Sequence, residues 1–345
     1  MKNIWREAMR GKPLWPLAAL AALAGAVVAI VLGLVTVGVQ ATVSPHGLPV
    51  AVALPNQAPA QVRAAAEHVS TQGGSALTWR VTTPELARTL LDDKDVYGIL
   101  ELGNPARIVV SGAINPAGTQ VVQQALTTAA NAAGTPVQVE TVHLASAAGR
   151  TAPLAVSTLA WLGSLVACVV ALLLTRRAGH TLNLPARLAR VLGTAVLMTA
   201  VAAGFLKLWD RTLPMGWHVL GFIFLVTLSF AGLQGALVRL LGVGAMSVLG
   251  PLYLLAPAVA GQVPELLNPA YKVALWSWSP FRFSTEGLRS ILQGTPGAPD
   301  VTVALWVLGA IAVAGMIVLV WPGRRSARQV AEPDAAHRVV EVGVD

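Results

Sequence analysis

Six long apolar runs constrain this chain more than any other feature, because a helix needs about 20 such residues to cross the hydrocarbon core of a bilayer. The runs cover residues 14–39, 154–175, 191–206, 217–238, 240–263 and 301–321. Only 12% of the 345 residues are charged, which is about half of the fraction in ordinary soluble domains. We therefore predict an α-helical polytopic membrane protein with about six transmembrane helices.

The first run has two interpretations. Basic residues precede it at Lys2, Arg6, Arg10 and Lys12, and residues 39–41 (Val-Gln-Ala) are compatible with a signal-peptidase site. The run is, however, much longer than the roughly 7 to 15 residues of the apolar region in a signal peptide. We favour an uncleaved membrane anchor over a cleaved signal peptide.

Basic residues near the ends of the runs predict the orientation, because cytoplasmic loops carry an excess of Lys and Arg. If the N-terminus is inside, twelve basic residues lie in the cytoplasm: Lys2, Arg6, Arg10, Lys12, Arg176, Arg177, Arg187, Arg190, Arg239, Arg324, Arg325 and Arg328. The short outer loops then hold five, namely Lys207, Arg211, Lys272, Arg282 and Arg289. This excess predicts that both termini are cytoplasmic. Abundant Ala, Gly, Val and Arg with scarce Lys favour a bacterial cell (plasma) membrane.

The positive charge of the chain does not indicate nucleic-acid binding. Lys and Arg number 24 against 16 Asp and Glu, a net charge of +8. Half of these basic residues flank apolar runs and form no separate basic face, as a nucleic-acid site would require. We expect membrane lipids, and no nucleic acid, among the partners.

Residues 42–150, between the first two runs, read as a small α/β domain. Strands are predicted at 48–54 and 76–81, a hairpin at 96–102 and 106–111, and a last strand at 137–144; helices are predicted at 60–69, from Pro84 to about Asp92, and at 116–133. Thr82 with Glu85 forms a possible capping box for the second helix, and Asn115 caps the third. The order βαβαββαβ places an extracytoplasmic domain between transmembrane helices 1 and 2.

The predicted organisation has four parts. Residues 1–41 form a cytoplasmic N-terminal segment and the first transmembrane helix, residues 42–150 the α/β domain, residues 151–322 a five-helix membrane region, and residues 323–345 a cytoplasmic tail of low-hydropathy composition that predicts disorder. Within the membrane region, residues 264–300 are too apolar for a free loop. We predict that they form an outer re-entrant segment.

The sequence has no recognisable catalytic or metal site. The three histidines of the α/β domain lack ligand spacing, and the acidic turn at 92–95 lacks the remaining positions of a calcium loop. Cys168 is the single cysteine and lies inside an apolar run, which favours a small core residue over a reactive thiol. We predict no catalytic residue, no metal and no cofactor, and hence no enzyme.

The membrane runs carry no charged residue near a centre, which argues against an ion-coupled transporter. A nucleotide-binding P-loop is also absent, since Gly11-Lys12 is followed by Pro13. Any energy from ATP must therefore come from a separate polypeptide.

The outer segment 264–300 combines aromatic and charged residues. Its large apolar side chains are Trp276, Trp278, Phe281, Phe283, Leu288, Ile291 and Leu292, which we expect at or just below the outer membrane surface. Its candidate functional residues are Pro280, Arg282, Glu286 and Arg289. The i,i+4 and i,i+3 spacings of the three charged ones suit a single helical face.

Several short motifs resemble a known family. Ser279-Pro280-Phe281, Glu286-Gly287-Leu288-Arg289 and Gly294, just before the last apolar run, resemble the corresponding segment of type-2 ABC exporter permeases. Leu48-Pro49-Val50-Ala51-Val52 with Asn56-Gln57, and Tyr97-Gly98-Ile99-Leu100, look like the branch related to phage infection proteins. The layout of one span, an exported domain and five further spans is also similar.

The resemblance implies a permease that acts as a homodimer or heterodimer above a separate ATP-binding subunit. In that family a cytoplasmic helix between the second and third spans transmits the closure of the ATPase. The matching stretch here is Arg176 to Arg190, whose candidate coupling residues are Arg176, Arg177, Arg187 and Arg190. A purely topological role for these arginines is the alternative. Lys2 to Lys12 would form an amphipathic helix on the inner surface.

The sequence is compatible with two functions. The first is the permease subunit of an ATP-dependent exporter that moves a hydrophobic or amphiphilic substrate, such as a lipid, drug or peptide, outward. The second is a non-transporting scaffold or receptor whose extracytoplasmic domain binds a surface partner.

Overall fold

The computed structural model describes residues 15–103, 105–132, 136–179 and 182–322. The predicted amphipathic helix at 2–12 and the predicted disordered tail at 323–345 lie outside these residues. The described chain is mostly helical, with one small sheet.

The elements are numbered in chain order. The helices are α1 (Trp15–Ala41), α2 (Ala60–Ser70), α3 (Pro84–Asp92), α4 (Pro116–Ala132), α5 (Ala147–Ala178), α6 (Leu184–Trp209), α7 (Trp217–Leu241), α8 (Met246–Ala260), α9 (Pro280–Leu292) and α10 (Pro299–Val320). The strands are β1 (Leu48–Ala53), β2 (Leu77–Thr82), β3 (Ile99–Glu101), β4 (Ala106–Ser111) and β5 (Val137–Val142). We call β1–β5 with α2–α4 the sheet domain, and α1 with α5–α10 the helical region.

Within the described residues, five helical stretches are long and apolar enough to cross a membrane. They are Ala18–Ala41, Ala147–Ala178, Leu184–Trp209, Trp217–Ala260 and Pro299–Val320. The predicted fourth span (217–238) and all but the last three residues of the predicted fifth (240–263) fall inside the 44-residue stretch Trp217–Ala260, so the count of six is not confirmed. That stretch is divided at Gly242, whose φ of 60° ends α7 and leads through a 3₁₀ turn at Gly242–Ala245 into α8.

The predicted loop between the second and third spans is much shorter in the structure. α5 continues to Ala178, and α6 begins at Leu184, where Asn183 Oδ1 accepts a hydrogen bond from Ala186 N at 3.0 Å. The described part of 176–190 therefore holds no separate helix, since Arg187 and Arg190 lie in the first turns of α6. A coupling role for this stretch stays a prediction. Pro185 suits the first turn of a helix, and α6 begins at Leu184, seven residues before the predicted span at 191–206.

The predicted order of strands and helices in the sheet domain is confirmed. The five strands lie in the order β2-β1-β3-β4-β5; β1 is parallel to β2 and β3, β3 and β4 form the predicted antiparallel hairpin, and β5 is parallel to β4. One cap is shifted by a residue. Thr83, and not Thr82, accepts from Leu86 N, because Thr82 still pairs with Ala53 in the sheet. Asn115 caps α4 as predicted, accepting from Ala117 N at 3.0 Å.

The segment after α8 completes the core of the sheet domain. Val263 and Leu266 are buried in the same apolar cluster as β1, β3 and β4. Backbone hydrogen bonds join this segment to the entry of the domain: Ser44 N donates to Leu266 O at 3.1 Å and His46 N to Glu265 O at 2.8 Å. The sheet domain therefore rests directly on the helical region and shares a core with it.

Helix α9 of segment 264–300 is packed among the other helices. α9 packs against α5, α7, α8 and α10, and its Phe281 contacts Trp161 and Phe230 with ring centroids 5.0 and 5.2 Å apart. Leu288 is also fully buried. The other helices cover most of these apolar side chains, whereas Trp278 is exposed. Their position at or just below the outer membrane surface stays a prediction.

Candidate functional site

The predicted coupling arginines divide into two pairs. Arg176 and Arg177 lie in the last turn of α5, are exposed, and form no ion pair or side-chain hydrogen bond with any described residue. Arg187 and Arg190 lie inside α6 and are half-buried. The exposed pair is available to a partner, while the second pair has contacts within the chain.

Arg187 and Arg190 line a cavity of about 400 Å³ between α5, α6, α7 and α10, together with Arg239 of α7. Arg187 donates through Nε to Leu182 O at 2.7 Å and through Nη1 to Leu319 O at 3.2 Å. Arg239 donates to Leu319 O and Trp321 O. These two arginines therefore donate to carbonyls at the C-terminal end of α10. The last carbonyls of a helix have no backbone N–H partner within the helix.

Arg190 reaches a different group. Its Nη1 lies 2.7 Å from Cys168 Sγ, and the thiol is buried in α5. Gly235 of α7 leaves the space for this guanidinium, because a Cβ there would lie 2.3 Å from Nη2 of Arg190. No carboxylate from the described residues lines this cavity. We call it the arginine cavity.

At the end of the helical region next to the sheet domain, Lys94 forms an ion pair with Asp300. Lys94 Nζ lies 2.5 Å from Asp300 Oδ2 and also contacts Ser290 Oγ, which donates to Asp300 at 2.8 Å. Burial lowers the pKa of the Lys94 ammonium, and the Asp300 carboxylate opposes this shift. The contact links the turn after α3 to the start of α10.

Tyr97 makes a second polar contact between the two regions. Its hydroxyl donates to Glu265 Oε2 at 2.7 Å. Burial, reinforced by the Glu265 carboxylate, raises the pKa of the Tyr97 hydroxyl. The hydroxyl therefore keeps its proton and its hydrogen bond.

The candidate residues of segment 264–300 are brought together on α9, but they do not form one network. Pro280 begins the helix. Arg282 Nε donates to Glu286 Oε2 at 3.1 Å, and the Arg282 guanidinium lies 3.4 Å from the ring centroid of Trp276. Arg289 is buried and forms no ion pair within the described residues. The three charged residues of the predicted helical face therefore form one ion pair, Arg282 with Glu286, and leave Arg289 outside it.

Lys94 and Asp300 were not among the predicted site residues. Lys94 sits in the acidic turn at 92–95, which reads as solvated in the sequence, and Asp300 precedes the last apolar run. The two residues are 206 positions apart, so no local sequence pattern could reveal the pair. Lys94 also has a positive φ of 64°, which the sequence does not indicate. His143, directly after β5, likewise lies close to a distant residue, with its Nε2 2.9 Å from Asp92 Oδ1.

Comparisons of the chain with protein-family models, with curated proteins and with solved structures find no match. The class of protein therefore follows from the chain alone. Several helices long and apolar enough to cross a membrane, joined to a small sheet, indicate a membrane protein.

Proposed function

We propose that this chain is the permease subunit of an exporter powered by a separate ATP-binding subunit. It would move a hydrophobic or amphiphilic substrate outward across a bacterial plasma membrane, as one half of a homodimer or heterodimer. The observation that carries the proposal is the concentration of arginines without described carboxylate partners at one end of the helical region. Such a surface suits an acidic groove on a partner.

The position of these arginines supports a partner on the side away from the sheet domain. α5 begins next to the sheet domain and has 32 residues, so its last turn lies about 48 Å away along the helix axis. Arg176 and Arg177 are in that turn. Because the basic ends of membrane spans stay inside, the far end would be cytoplasmic, where ATPases act.

The course of α7 and α8 supports six crossings, with both termini on the cytoplasmic side. α7 ends where Arg239 contacts the C-terminal end of α10, which is far from the sheet domain. α8 then leads to Val263, which is buried in the core of the sheet domain. A chain that turns at Gly242 and returns in this way would cross the membrane twice within Trp217–Ala260.

The test is affinity purification of the tagged protein in mild detergent, with quantification of co-purifying proteins by mass spectrometry. We expect a stoichiometric ATPase with the wild type and several-fold less with the double variant Arg176→Gln, Arg177→Gln. Arg211→Gln is the matched control, because Arg211 is also exposed but lies at the other end of α6. Absence of any ATPase, or equal recovery with the double variant, would contradict the proposal.

A scaffold or receptor is the second candidate, and one feature of the sheet domain favours it. A cavity of about 380 Å³ lies between β4, α4 and the residues after β5, and Thr119, Gln123 and Thr141 give it hydrogen-bonding groups. A surface partner recovered in the same purification, with no ATPase, would support this candidate. Retention of that partner by the Arg176→Gln, Arg177→Gln variant would separate it from the permease.

A further inference from the structure

A third cavity, of about 410 Å³, lies at the junction of the sheet domain and the helical region. Its walls are the N-terminal end of α4 (residues 115–117), the first turns of α5, Gly261 after α8, and Arg289 of α9. It therefore lies at the end of the helical region to which the sheet domain is attached.

Arg289 presents an unpaired charge to this cavity. The residue is only 4% exposed, and its Nε has no hydrogen-bond partner. The guanidinium makes no side-chain hydrogen bond and no ion pair with any residue that the structure describes. Glu286 and Asp300 act on Arg289 electrostatically, but neither lies at ion-pair distance from it. A buried cation without a direct partner is unfavourable, so the cavity suits an anion that is not part of the described chain.

The neighbouring carboxylates do not supply that anion, because each is held by another cation. Glu286 pairs with Arg282 at 3.1 Å, and Asp300 pairs with Lys94 at 2.5 Å. Neither of these two carboxylates is therefore free to bind Arg289 directly.

Two further features of the wall add positive potential. Arg150, in the first turn of α5, lines the cavity and forms no ion pair with a described residue. The first residues of α4, at the positive end of its helix dipole, also line this space. A ligand in the cavity would therefore meet two guanidinium groups and a helix N-terminus.

The remaining wall is apolar and continuous with a candidate membrane span. Leu154 and Ala155 lie one and two positions after Pro153 on α5 and line the cavity. α5 then continues as an apolar helix to Ala178. A ligand with a charged head and hydrocarbon chains could place its head against the arginines and its chains along α5.

We propose that this cavity binds the anionic headgroup of a membrane phospholipid, with Arg289 and Arg150 holding the phosphate. A free phosphate ion shares the charged chemistry but not the hydrocarbon chains that the α5 wall accommodates. The inference rests on this cavity alone and does not depend on ATP-driven transport.

The experiment measures thermal unfolding of the full-length protein after delipidation in detergent. Phosphatidylglycerol, phosphatidylcholine and inorganic phosphate are added in separate titrations. We expect a saturable rise of the melting temperature with phosphatidylglycerol and none with phosphatidylcholine or inorganic phosphate. An equal rise with inorganic phosphate would overturn the lipid assignment, and no rise with phosphatidylglycerol would overturn the site.

Arg289→Met and the exposed control Arg211→Gln assign the effect to the cavity. We expect Arg289→Met to weaken the phosphatidylglycerol effect by about tenfold in midpoint concentration and to raise the melting temperature of the delipidated protein, since it removes an unpaired buried charge. Arg211→Gln should change neither. A purely structural Arg289 would give the opposite result, a lower melting temperature with an unchanged lipid titration.

A second variant keeps the test independent of the folding of α9. Arg150 is exposed, so Arg150→Gln removes a charge from the cavity without disturbing the core. We expect it to weaken the phosphatidylglycerol effect while leaving the melting temperature of the delipidated protein unchanged. An unchanged titration would overturn the role given to Arg150 and to the cavity.

Discussion

At the residue scale, a few polar side chains join the sheet domain to the helical region. Lys94 reaches Asp300, and Tyr97 reaches Glu265, across 206 and 168 positions of sequence. Both contacts are shielded from water, so removal of one partner leaves the other without compensation. The junction therefore depends on a small number of specific groups, although its core is apolar.

The Tyr97 contact predicts a pH dependence that a single variant removes. The native hydroxyl has a raised pKa, whereas the unfolded hydroxyl ionises near pH 10. Stabilisation by this group is therefore fully present below pH 10 and is lost as the pH rises above it. Tyr97→Phe should lower the free energy of unfolding by about 1 to 3 kcal/mol at pH 8 and by less at pH 10.5.

Chemical denaturation of the two proteins at both pH values measures this difference. Lys94 has a lowered pKa in the native protein, so its contribution makes the free energy of unfolding rise with pH below about 10.4. Because Lys94 is present in both proteins, this contribution cancels in the comparison. A destabilisation by Tyr97→Phe that is the same at both pH values would contradict the assigned role of the hydroxyl.

At the element scale, the close approach of α7 and α10 organises the helical region. Gly232 and Gly315 face each other at the crossing, where a Cβ on Gly315 would lie 2.6 Å from the backbone carbon of Gly232. Small residues at such a crossing allow the backbones of membrane helices to pack closely. Ser229 adds a hydrogen bond across the same pair, donating to Leu308 O at 2.7 Å.

This crossing predicts different effects for two substitutions on α10. Gly315→Ala should lower stability by about 1 to 3 kcal/mol, because the added methyl group meets backbone atoms that cannot move without separating the helices. Gly309→Ala is the matched control, since nothing lies within 4 Å of a Cβ there. Unfolding of the purified proteins in detergent measures the stability of both variants. Equal stabilities would contradict the close approach of α7 and α10 at Gly315.

At the scale of the whole molecule, the sheet domain and the helical region share one junction core. Leu266 is 1% exposed in the cluster formed with β1, β3 and β4, although it follows α8 by only a few residues. The domain is thus completed by chain from the helical region. A movement of α8 would act directly on the sheet.

Leu266→Ala tests this coupling. We expect a loss of about 2 to 4 kcal/mol in the free energy of unfolding, together with faster proteolysis of the sheet domain. Leu144→Ala is the control, because Leu144 is 81% exposed and its truncation should change neither. Unfolding in denaturant and limited proteolysis of the full chain measure the two effects. Unchanged proteolysis of Leu266→Ala would show that the sheet domain is stable without the segment after α8.

Local patterns in the sequence determined the class of fold and most elements. Long apolar runs indicate membrane helices because backbone groups in lipid must be satisfied within the helix itself. Alternating strands and helices between turn residues determined the order of the sheet domain, and Asn115 marked its cap correctly. These features depend on neighbouring residues, so they can be read from a sequence alone.

The tertiary structure decided which distant residues meet, and with that the candidate sites. α9 combines charged and aromatic residues, and it is buried because α5, α7 and α10 cover it. Long-range packing also decides the environment of each arginine. Arg176 and Arg177 are exposed, Arg187 and Arg190 have contacts within the helical region, and Arg289 is buried without an ion pair among the described residues. The physical reason is that the burial and pairing of a charge depend on everything around it in space, whereas the sequence records only its neighbours along the chain.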